Sequence, residues 1–316
     1  MPHPRISIVI PVYNEMNVLT ELKRRLDIAL ARIEGGHQIV YVDDGSSDDS
    51  IKIIEQQVVE DGSVVLVRLS RNFGMDIAMS AGLDHARGDY VVLMHADLQD
   101  PPELIPEMID RAKAGADVVF GRRIGRDESL LKRSLATAFY KLMERLAHSP
   151  YQGQAGDFRL MSRRVVDAVR AMPERRRFLR GMVAWVGHEQ VPIEYRRAGR
   201  HAGRGASYRD LLRLAFEAFT SFSDVPLALA SWFGIATAVI SGIAAIVVLI
   251  LAQVGSLSAS IGVWILISVL FLGGVQLIGV GILGRYLGRV HDQVLGRPLY
   301  LVSEVLTQEP QERASE

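Results

Sequence analysis

The feature that most restricts the fold of this 316-residue chain is an uncharged run of 60 residues, from Val225 to Gly284. It contains two apolar stretches, 227–252 and 261–284, and each is longer than the roughly 20 residues that a helix needs to cross a bilayer core. The alternative is a helical hairpin buried in a water-soluble core, but such a hairpin rarely extends so far without a charge. The run therefore predicts a two-helix transmembrane hairpin.

Lysine and arginine residues predict the orientation of this hairpin. The polar turn between the two stretches has none, whereas Arg213 and Arg285 lie among the basic residues of the outer flanks. We therefore expect a multi-pass protein of the inner (plasma) membrane with its N-terminal domain in the cytoplasm. The predicted division is 1–205 for the cytosolic domain, 206–224 for a juxtamembrane amphipathic helix, 225–284 for the hairpin and 285–316 for a cytosolic C-terminal tail.

The formal net charge of zero is an average over very different parts of the chain. Residues 1–120 carry 11 basic and 20 acidic side chains, a net charge of −9, whereas residues 121–213 carry 21 and 9, a net charge of +12. An acidic part followed by a basic part predicts a site where cations and phosphates meet. The absence of cysteine excludes a disulfide framework, a cysteine nucleophile and a thiolate metal site.

Short apolar runs alternate with helical patterns in the first 120 residues. This alternation predicts an α/β fold, with a doubly wound and mostly parallel sheet and helices on both faces. The predicted strands are 6–10, 39–42, 64–67, 90–94 and 118–120, and the predicted helices are 18–33, 47–60, 76–85 and 102–113.

Polar residues follow each predicted strand, at the sheet edge where ligands of such folds bind. A turn followed by a helix N-cap also explains a segment such as Asp43-Asp44-Gly45, but capping alone does not explain five polar segments at one edge. Neither a phosphate-binding glycine-rich loop nor a dinucleotide fingerprint is present, which argues against an ATPase or a dinucleotide oxidoreductase.

Four segments in this order resemble family 2 glycosyltransferases of the polyprenyl-phosphate type, the group of dolichyl-phosphate mannose synthase and bactoprenol glucosyltransferase. They are Pro-Val-Tyr-Asn-Glu at 11–15, Val-Asp-Asp-Gly-Ser-Ser-Asp at 42–48, Ala-Asp-Leu-Gln-Asp-Pro-Pro-Glu at 96–103 and Gly-Asp-Phe-Arg-Leu at 156–160. The resemblance extends over nearly the whole chain, because bacterial members also end in two transmembrane helices. It implies a GT-A-type fold and inverting transfer of a sugar from a nucleotide-diphosphate sugar, with UDP preferred over GDP, to undecaprenyl or another polyprenyl phosphate.

The resemblance also implies the site residues, a Mg²⁺ or Mn²⁺ cofactor, a membrane partner and homo-oligomerisation, with no role for nucleic acid. Nucleotide-sugar binding is implied for Pro11, Tyr13, Glu15, Asp43, Asp44 and Asp97, and metal binding for His95, Asp97 and Gln99. Asp97 and Asp157 match the catalytic positions. Arg123 and Arg133 match positions near the acceptor phosphate, and Arg200 or Arg204 is expected to replace a lysine that the family often has and that this chain lacks.

Two of these positions, His95 and Asp157, keep alternatives open. The first metal position is normally Asp and is here His95, a softer ligand that tolerates Mn²⁺ better than Mg²⁺ or else a buried polar residue that binds no metal. Asp157 stands at the position usually called the catalytic base, but a phosphate monoester is already an anion at neutral pH and needs little proton abstraction. Asp157 is therefore a base, a positioning group or a carboxylate that caps a loop.

Two other functions compete with this one. A processive polysaccharide synthase would show a Gln-x-x-Arg-Trp motif and more membrane spans, and the sequence has neither. A non-catalytic membrane-anchored protein that only binds a nucleotide sugar or a partner would explain both departures from the family pattern, His95 and the missing lysine. The other motif positions are mostly intact, which favours the enzyme.

Overall fold

A computed structural model describes residues 5–124, 155–175, 177–196 and 261–308, together with the single helical residues Ile243, Val247 and Ile250. The chain divides into two compact units. The first unit comprises residues 1–205 and 298–316, and the second comprises residues 206–297.

The described residues of the first unit form eight strands and six α-helices. The strands are β1 (Ile6–Val12), β2 (His37–Asp43), β3 (Val64–Leu69), β4 (Tyr90–Leu93), β5 (Val118–Ile124), β6 (Ala155–Ser162), β7 (Gln190–Arg196) and β8 (Val302–Leu306). The helices are α1 (Leu19–Leu30), α2 (Ser50–Glu60), α3 (Met75–His85), α4 (Ile105–Lys113), α5 (Arg163–Ala171) and α6 (Leu179–Trp185), and one 3-10 turn, Pro102–Leu104, precedes α4. The second unit contains α7 (Ile261–Val294).

All eight strands belong to one mixed sheet, in the order β7-β5-β6-β4-β1-β2-β3-β8. Six of them run in one direction, and β6 and β8 run in the other. The five predicted strands and four predicted helices are confirmed, with bounds that differ by a few residues. The mostly parallel α/β sheet is confirmed as well.

Alternation along the strands places apolar side chains on both faces of the sheet. Ile8 and Ile10 pack into a cluster with α1, α2 and α4, whereas Val9, between them, packs into a second cluster with α3, α5 and α6. Helices therefore cover both faces, which explains why the parallel strands read as continuous apolar runs rather than as alternating ones.

Strand register determines which residues meet at the sheet edge. Val12 pairs with Asp43, so β1 and β2 end level with one another and their following loops are neighbours. On the other side of β1, the antiparallel pair of β4 and β6 aligns Leu93 with Arg159. Continuing that register by two residues brings His95 opposite Asp157.

The predicted C-terminal tail contains a strand of the main sheet. β8 pairs antiparallel with β3 and so covers an edge that would otherwise expose unpaired backbone groups. Arg68 on β3 forms an ion pair with Glu304 on β8 at 2.7 Å, and the Tyr300 hydroxyl donates to Asp84 at 2.7 Å. The segment 300–306 thus belongs to the first unit.

The predicted localisation needs correction. Within the four described ranges, no helix combines the length and the apolar character needed to cross a membrane. The prediction of a multi-pass plasma-membrane protein with a cytoplasmic catalytic domain is therefore wrong. The predicted second span lies in α7, and the predicted first span, 227–252, lies outside the described residues apart from Ile243, Val247 and Ile250.

The prediction took the uncharged stretch 261–284 as a helix of its own, whereas the helix of the structure has other bounds. The stretch 261–284 includes glycines such as Gly273 and the polar Gln276 among its apolar residues. The helix also continues past Gly284 to Val294, through Arg285 and Asp292. The end of the uncharged run therefore does not coincide with the end of a structural element.

Candidate active site

The loops that follow β1 and β2 are joined by hydrogen bonds. Asn14, which has a positive φ of 56°, accepts a bond from the backbone N–H of Ser47 at 2.8 Å through Oδ1. Its own N–H donates to the Ser46 hydroxyl at 3.0 Å, and the N–H of Glu15 donates to the Ser50 hydroxyl at 2.9 Å. These bonds hold Tyr13, which is 51% exposed, at the rim of the sheet edge.

The two neighbouring aspartates Asp43 and Asp44 have different local roles. Asp43 is 1% exposed, and its Oδ1 accepts the N–H of Ser46 at 3.1 Å, which closes the turn after β2. Asp44 accepts from the next loop of the site, with Oδ1 2.7 Å from the Phe73 nitrogen and Oδ2 2.9 Å from the Gly74 nitrogen. Asp44 therefore anchors the loop after β3, and a carboxylate with about four acceptor positions can also receive a ligand.

Burial makes the Asp44 carboxyl group less acidic than an ordinary aspartate. Desolvation raises the pKa of Asp44, and the two backbone N–H donors from Phe73 and Gly74 offset only part of that rise. The same loop carries Arg71, whose guanidinium lies 4.0 Å from the centre of the Phe73 ring. The loop after β3 thus presents a cation beside a buried carboxylate.

A second group of charged side chains forms where β4 ends and β6 begins. Nε2 of His95 lies 3.1 Å from Oδ2 of Asp157, and it is the donor because an ionised carboxylate only accepts. The Arg180 guanidinium, on α6, donates to both oxygens of Asp157 through Nε and Nη2. Asp157 is thus bound on two sides by cationic or potentially cationic groups.

These contacts separate the pKa values of His95 and Asp157. Burial raises the pKa of Asp157, but the hydrogen bonds and charges of Arg180 and His95 outweigh it and hold that pKa well below its usual range. Burial lowers the pKa of His95, but Asp157, Asp100 and Asp97 outweigh it, so the pKa of His95 is raised. At neutral pH Asp157 is therefore a carboxylate that holds no proton and is poorly suited to take one.

The loop after β4 holds Asp97 and Gln99 close together. Oδ1 of Asp97 accepts the N–H of Gln99 at 3.1 Å, and Leu98 between them adopts a positive φ of 58°. Behind them Asp100 is fully buried and accepts the Tyr195 hydroxyl at 2.8 Å. A non-glycine residue in the left-handed region is uncommon, and it marks a loop whose conformation the surrounding structure determines.

Gln99 contributes a buried oxygen with no hydrogen-bond partner. Its side chain is 5% exposed, and Oε1 is one of the few buried polar atoms in the described residues that lack a partner. An orphaned amide oxygen beside Asp97 fits a cation ligand. However, no group of three or more His, Asp or Glu side chains in the described ranges is placed to hold a metal ion by itself.

Residues 7–170 match the model of "Glycosyl transferase family 2". The chain belongs to this family. It is therefore an enzyme, a glycosyltransferase, and its mixed sheet has the GT-A-like arrangement.

This family 2 glycosyltransferase has relatives that are similar over nearly their whole length. The bactoprenol glucosyl transferase of Shigella phage SfII is 40% identical over 95% of this chain and 98% of that protein. The undecaprenyl-phosphate 4-deoxy-4-formamido-L-arabinose transferase of Klebsiella pneumoniae (strain 342) is 35% identical over 97% of this chain and 95% of that protein.

Among solved structures, the likeness is weaker. Glucosyl-3-phosphoglycerate synthase from Mycobacterium tuberculosis, in complex with Mn²⁺, uridine-diphosphate-glucose and glycerol 3-phosphate, aligns with a TM-score of 0.46 and 18% identity. The alignment covers 69% of this chain and 78% of that chain. A likeness of this degree supports no argument about residues or ligands.

The predicted site residues of the glycosyltransferase separate into those that the structure locates and those that it does not. Pro11 lies in β1 beside Val42. Eight other predicted residues lie at the ends of strands or in the loops beside them: Tyr13, Glu15, Asp43, Asp44, His95, Asp97, Gln99 and Asp157. Arg123 lies in β5, where its backbone pairs with Tyr195. Arg133, Arg200 and Arg204 lie outside the described residues.

Sequence reasoning did not identify Arg180. It lies among the many basic residues of 121–213, where no local signal separates it from Arg175 or Arg177. The signal is its distance from Asp157 in the fold, which depends on how α6 packs beside β6. Asp100 and Tyr195 were likewise missed, because their hydrogen bond joins residues that are 95 positions apart.

Proposed function

We propose that this glycosyltransferase moves a sugar, with inversion at the anomeric carbon, from a nucleotide-diphosphate sugar to a polyprenyl phosphate. The donor is UDP-linked, the acceptor is undecaprenyl phosphate, and the product serves the modification of a cell-envelope glycan. The supporting observation is 35–40% identity, over nearly the whole length of both chains, to two enzymes named for bactoprenol and undecaprenyl phosphate. Homo-oligomerisation remains a prediction.

In this proposal the donor lies against the loops after β1, β2 and β3. Tyr13 offers a half-exposed ring for stacking on the base, and Glu15 lies where a ribose hydroxyl would bind. Asp44 accepts hydrogen bonds from the nucleoside while it keeps the Phe73–Gly74 loop in place. The acceptor phosphate approaches from the basic side, for which Arg123, Arg133, Arg200 and Arg204 are candidates.

A divalent cation, Mg²⁺ or Mn²⁺, fits the residues of the loop after β4. Asp97 and the orphaned Oε1 of Gln99 are hard oxygen ligands, and His95 could add Nδ1 while Nε2 stays bonded to Asp157. When bound, the ion would neutralise the charge that develops on the departing diphosphate. Two or three protein ligands suffice, because Mg²⁺ is usually held by one or two carboxylates together with substrate phosphates.

The transfer itself requires no base from the protein. One oxygen of the acceptor phosphate forms the new bond to the anomeric carbon, and the bond from that carbon to the diphosphate oxygen breaks, so the nucleoside diphosphate leaves with the electron pair. The acceptor is already an anion at neutral pH. The lowered pKa of Asp157 agrees with a positioning role rather than with proton abstraction.

The proposal is tested by incubating the purified full-length protein with polyprenyl phosphate, Mg²⁺ or Mn²⁺, and a panel of labelled UDP- and GDP-sugars. Lipid-linked label that appears with one UDP-sugar is the expected result. Label with a GDP-sugar alone would change the donor, and nucleotide binding without transfer from any donor would favour a non-catalytic binding protein.

We expect Gly45→Ala to weaken donor binding by about tenfold. A Cβ at Gly45 would lie 2.8 Å from the Asn72 nitrogen and 2.9 Å from the Arg71 carbonyl carbon. Both are backbone atoms of the loop that Asp44 anchors, so the added methyl group would displace this loop. Gly36→Ala is a matched control, because Gly36 has nearly the same φ, +77° against +78°, but a Cβ there meets nothing within 4 Å. Each alanine adds roughly 1–2 kcal/mol of backbone strain, so only the difference in UDP affinity, measured by titration calorimetry, reports on the loop. Equal UDP affinities in the two variants would contradict the prediction.

We expect His95→Asp to shift the metal preference of the reaction toward Mg²⁺. A carboxylate is a harder ligand than imidazole, and it adds one negative charge to the cation site. The measurement is the ratio of transfer rates with Mg²⁺ and with Mn²⁺ in the variant and the wild type. An unchanged ratio would mean that His95 is not a ligand and that its bond to Asp157 is its main role.

A further inference from the structure

We infer that Arg180 binds a substrate phosphate in this site and that it does so by exchanging the Asp157 carboxylate for the phosphate. The inference rests on the proposed function, because it assigns a residue to one of the two phosphate-bearing substrates. It adds a cation that the family motifs quoted above do not include.

The position of Arg180 is set by a buried contact of its helix. α6 begins at Leu179, whose N–H donates to Oδ1 of Asp76 on α3 at 3.2 Å. Arg180 is the next residue, so its guanidinium projects from a fixed point toward the start of β6. This anchoring leaves the side chain, rather than the helix, to move between two partners.

The exposed fractions of the two side chains favour such an exchange. The Asp157 side chain is 14% exposed, whereas the Arg180 side chain is 36% exposed and so is open to solvent. A phosphate that enters the site can therefore reach the guanidinium. Arginine binds phosphate and carboxylate with the same pair of parallel N–H donors, so one anion can replace the other without a change in the geometry of the donor.

The loss of Arg180 does not leave Asp157 without a partner. Nε2 of His95 continues to donate to Oδ2 at 3.1 Å. A buried carboxylate that lost its sole cation would carry a large desolvation penalty. Because His95 and Arg180 both bind Asp157, Arg180 can leave at a smaller cost in free energy.

Other arginines around β6 are committed to the main chain. Arg159 is 3% exposed and donates to the Gly156 carbonyl at 2.8 Å, and Arg163 donates to the Ala86 carbonyl at 3.1 Å. Arg177 donates to the carbonyls of Val169 and Met172 at 3.0 and 2.8 Å. Arg180, by contrast, donates through Nε and Nη2 to a carboxylate, the kind of partner that a phosphate can replace.

The test is direct titration of the full-length protein with two probes, UDP for the donor diphosphate and a short-chain prenyl phosphate for the acceptor. Arg180→Gln is expected to weaken the binding of one probe at least tenfold, and the probe that is affected identifies the source of the phosphate. Arg180→Lys keeps the charge but loses the paired donors, so it is expected to recover part of the affinity. Arg177→Gln is the matched control, and it is expected to leave both affinities within twofold of the wild type.

Asp157→Asn distinguishes exchange from a purely structural ion pair. Removing the competing carboxylate releases Arg180, so the same probe is expected to bind several-fold more tightly to this variant. Unchanged affinities in both Arg180→Gln and Asp157→Asn, or a wild type that binds neither probe, would overturn the inference. Failure of sugar transfer alongside intact, Arg180-dependent binding would reject the proposed function and leave the phosphate site standing.

Discussion

Asp97→Ala is expected to lower the rate of sugar transfer to polyprenyl phosphate by about a thousand-fold. Asp97 supplies a negative charge beside the orphaned Gln99 oxygen, and its Oδ1 also accepts the Gln99 N–H at 3.1 Å. The substitution therefore removes a cation ligand and frees the loop that presents the second ligand. The measurement is the initial rate of lipid-linked label at the highest usable donor concentration.

Two further variants separate the charge of Asp97 from its structural bond. Asp97→Asn keeps an oxygen that can accept the Gln99 N–H but loses the charge, and a nearly equal loss of rate is expected from it. Asp110→Ala, on the exposed side of α4, removes a carboxylate of the same kind away from the loop and is expected to leave the rate unchanged. Retention of more than a tenth of the wild-type rate by Asp97→Ala would contradict the role assigned to this residue.

The parts of the fold that sequence predicted are those whose signal is local. β1 to β5 are short apolar runs, and α1 to α4 have apolar residues at helical spacing, so each pattern lies within the element itself. β6 and β8 were not predicted. β6 inserts antiparallel between β4 and β5, and β8 joins β3 from more than 200 residues away, so both depend on pairing partners that no local pattern reveals.

The candidate site shows the same division between residue types and contacts. Motifs in the sequence predict four of its residues one by one: His95, Asp97, Gln99 and Asp157. The structure adds that His95 and Asp157 are hydrogen-bonded to each other. That contact follows from the register of β4 against β6, which motif matching does not contain. The role of Arg180 was missed for the same reason.

The error about the membrane has a different origin. Two spans were predicted from the lengths of two apolar stretches in an uncharged run, which are properties of the sequence and not of the helices that form. In α7 the helix and the uncharged run end at different residues, Val294 and Gly284. Composition and secondary structure therefore have to agree before a span is assigned.

We expect Asp157→Asn to lower the free energy of unfolding by about 2–3 kcal/mol at neutral pH. This is somewhat less than the cost of breaking a fully buried ion pair, because the Arg180 side chain is partly exposed. The asparagine removes the negative charge that Arg180 and His95 both bind. The measurement is chemical denaturation of both proteins. Asp167→Asn is the control, because its ion pairs with Arg163 and Arg170 span 3.9 and 3.8 Å on the exposed face of α5 and are expected to contribute little.

The difference in stability between wild type and Asp157→Asn is also expected to depend on pH, in a direction that the two pKa shifts determine. The pKa of Asp157 is lowered by folding, so its contribution is fully present above the ordinary carboxyl value of about 4 and is lost as the pH falls below it. The pKa of His95 is raised by folding, so its contribution is fully present below the ordinary imidazole value of about 6.5 and is lost as the pH rises through the folded-state value. The wild-type advantage should therefore be largest between about pH 4 and pH 6.5 and decline on both sides. A constant difference from pH 3 to pH 9 would mean that the network of His95, Asp157 and Arg180 does not form in solution.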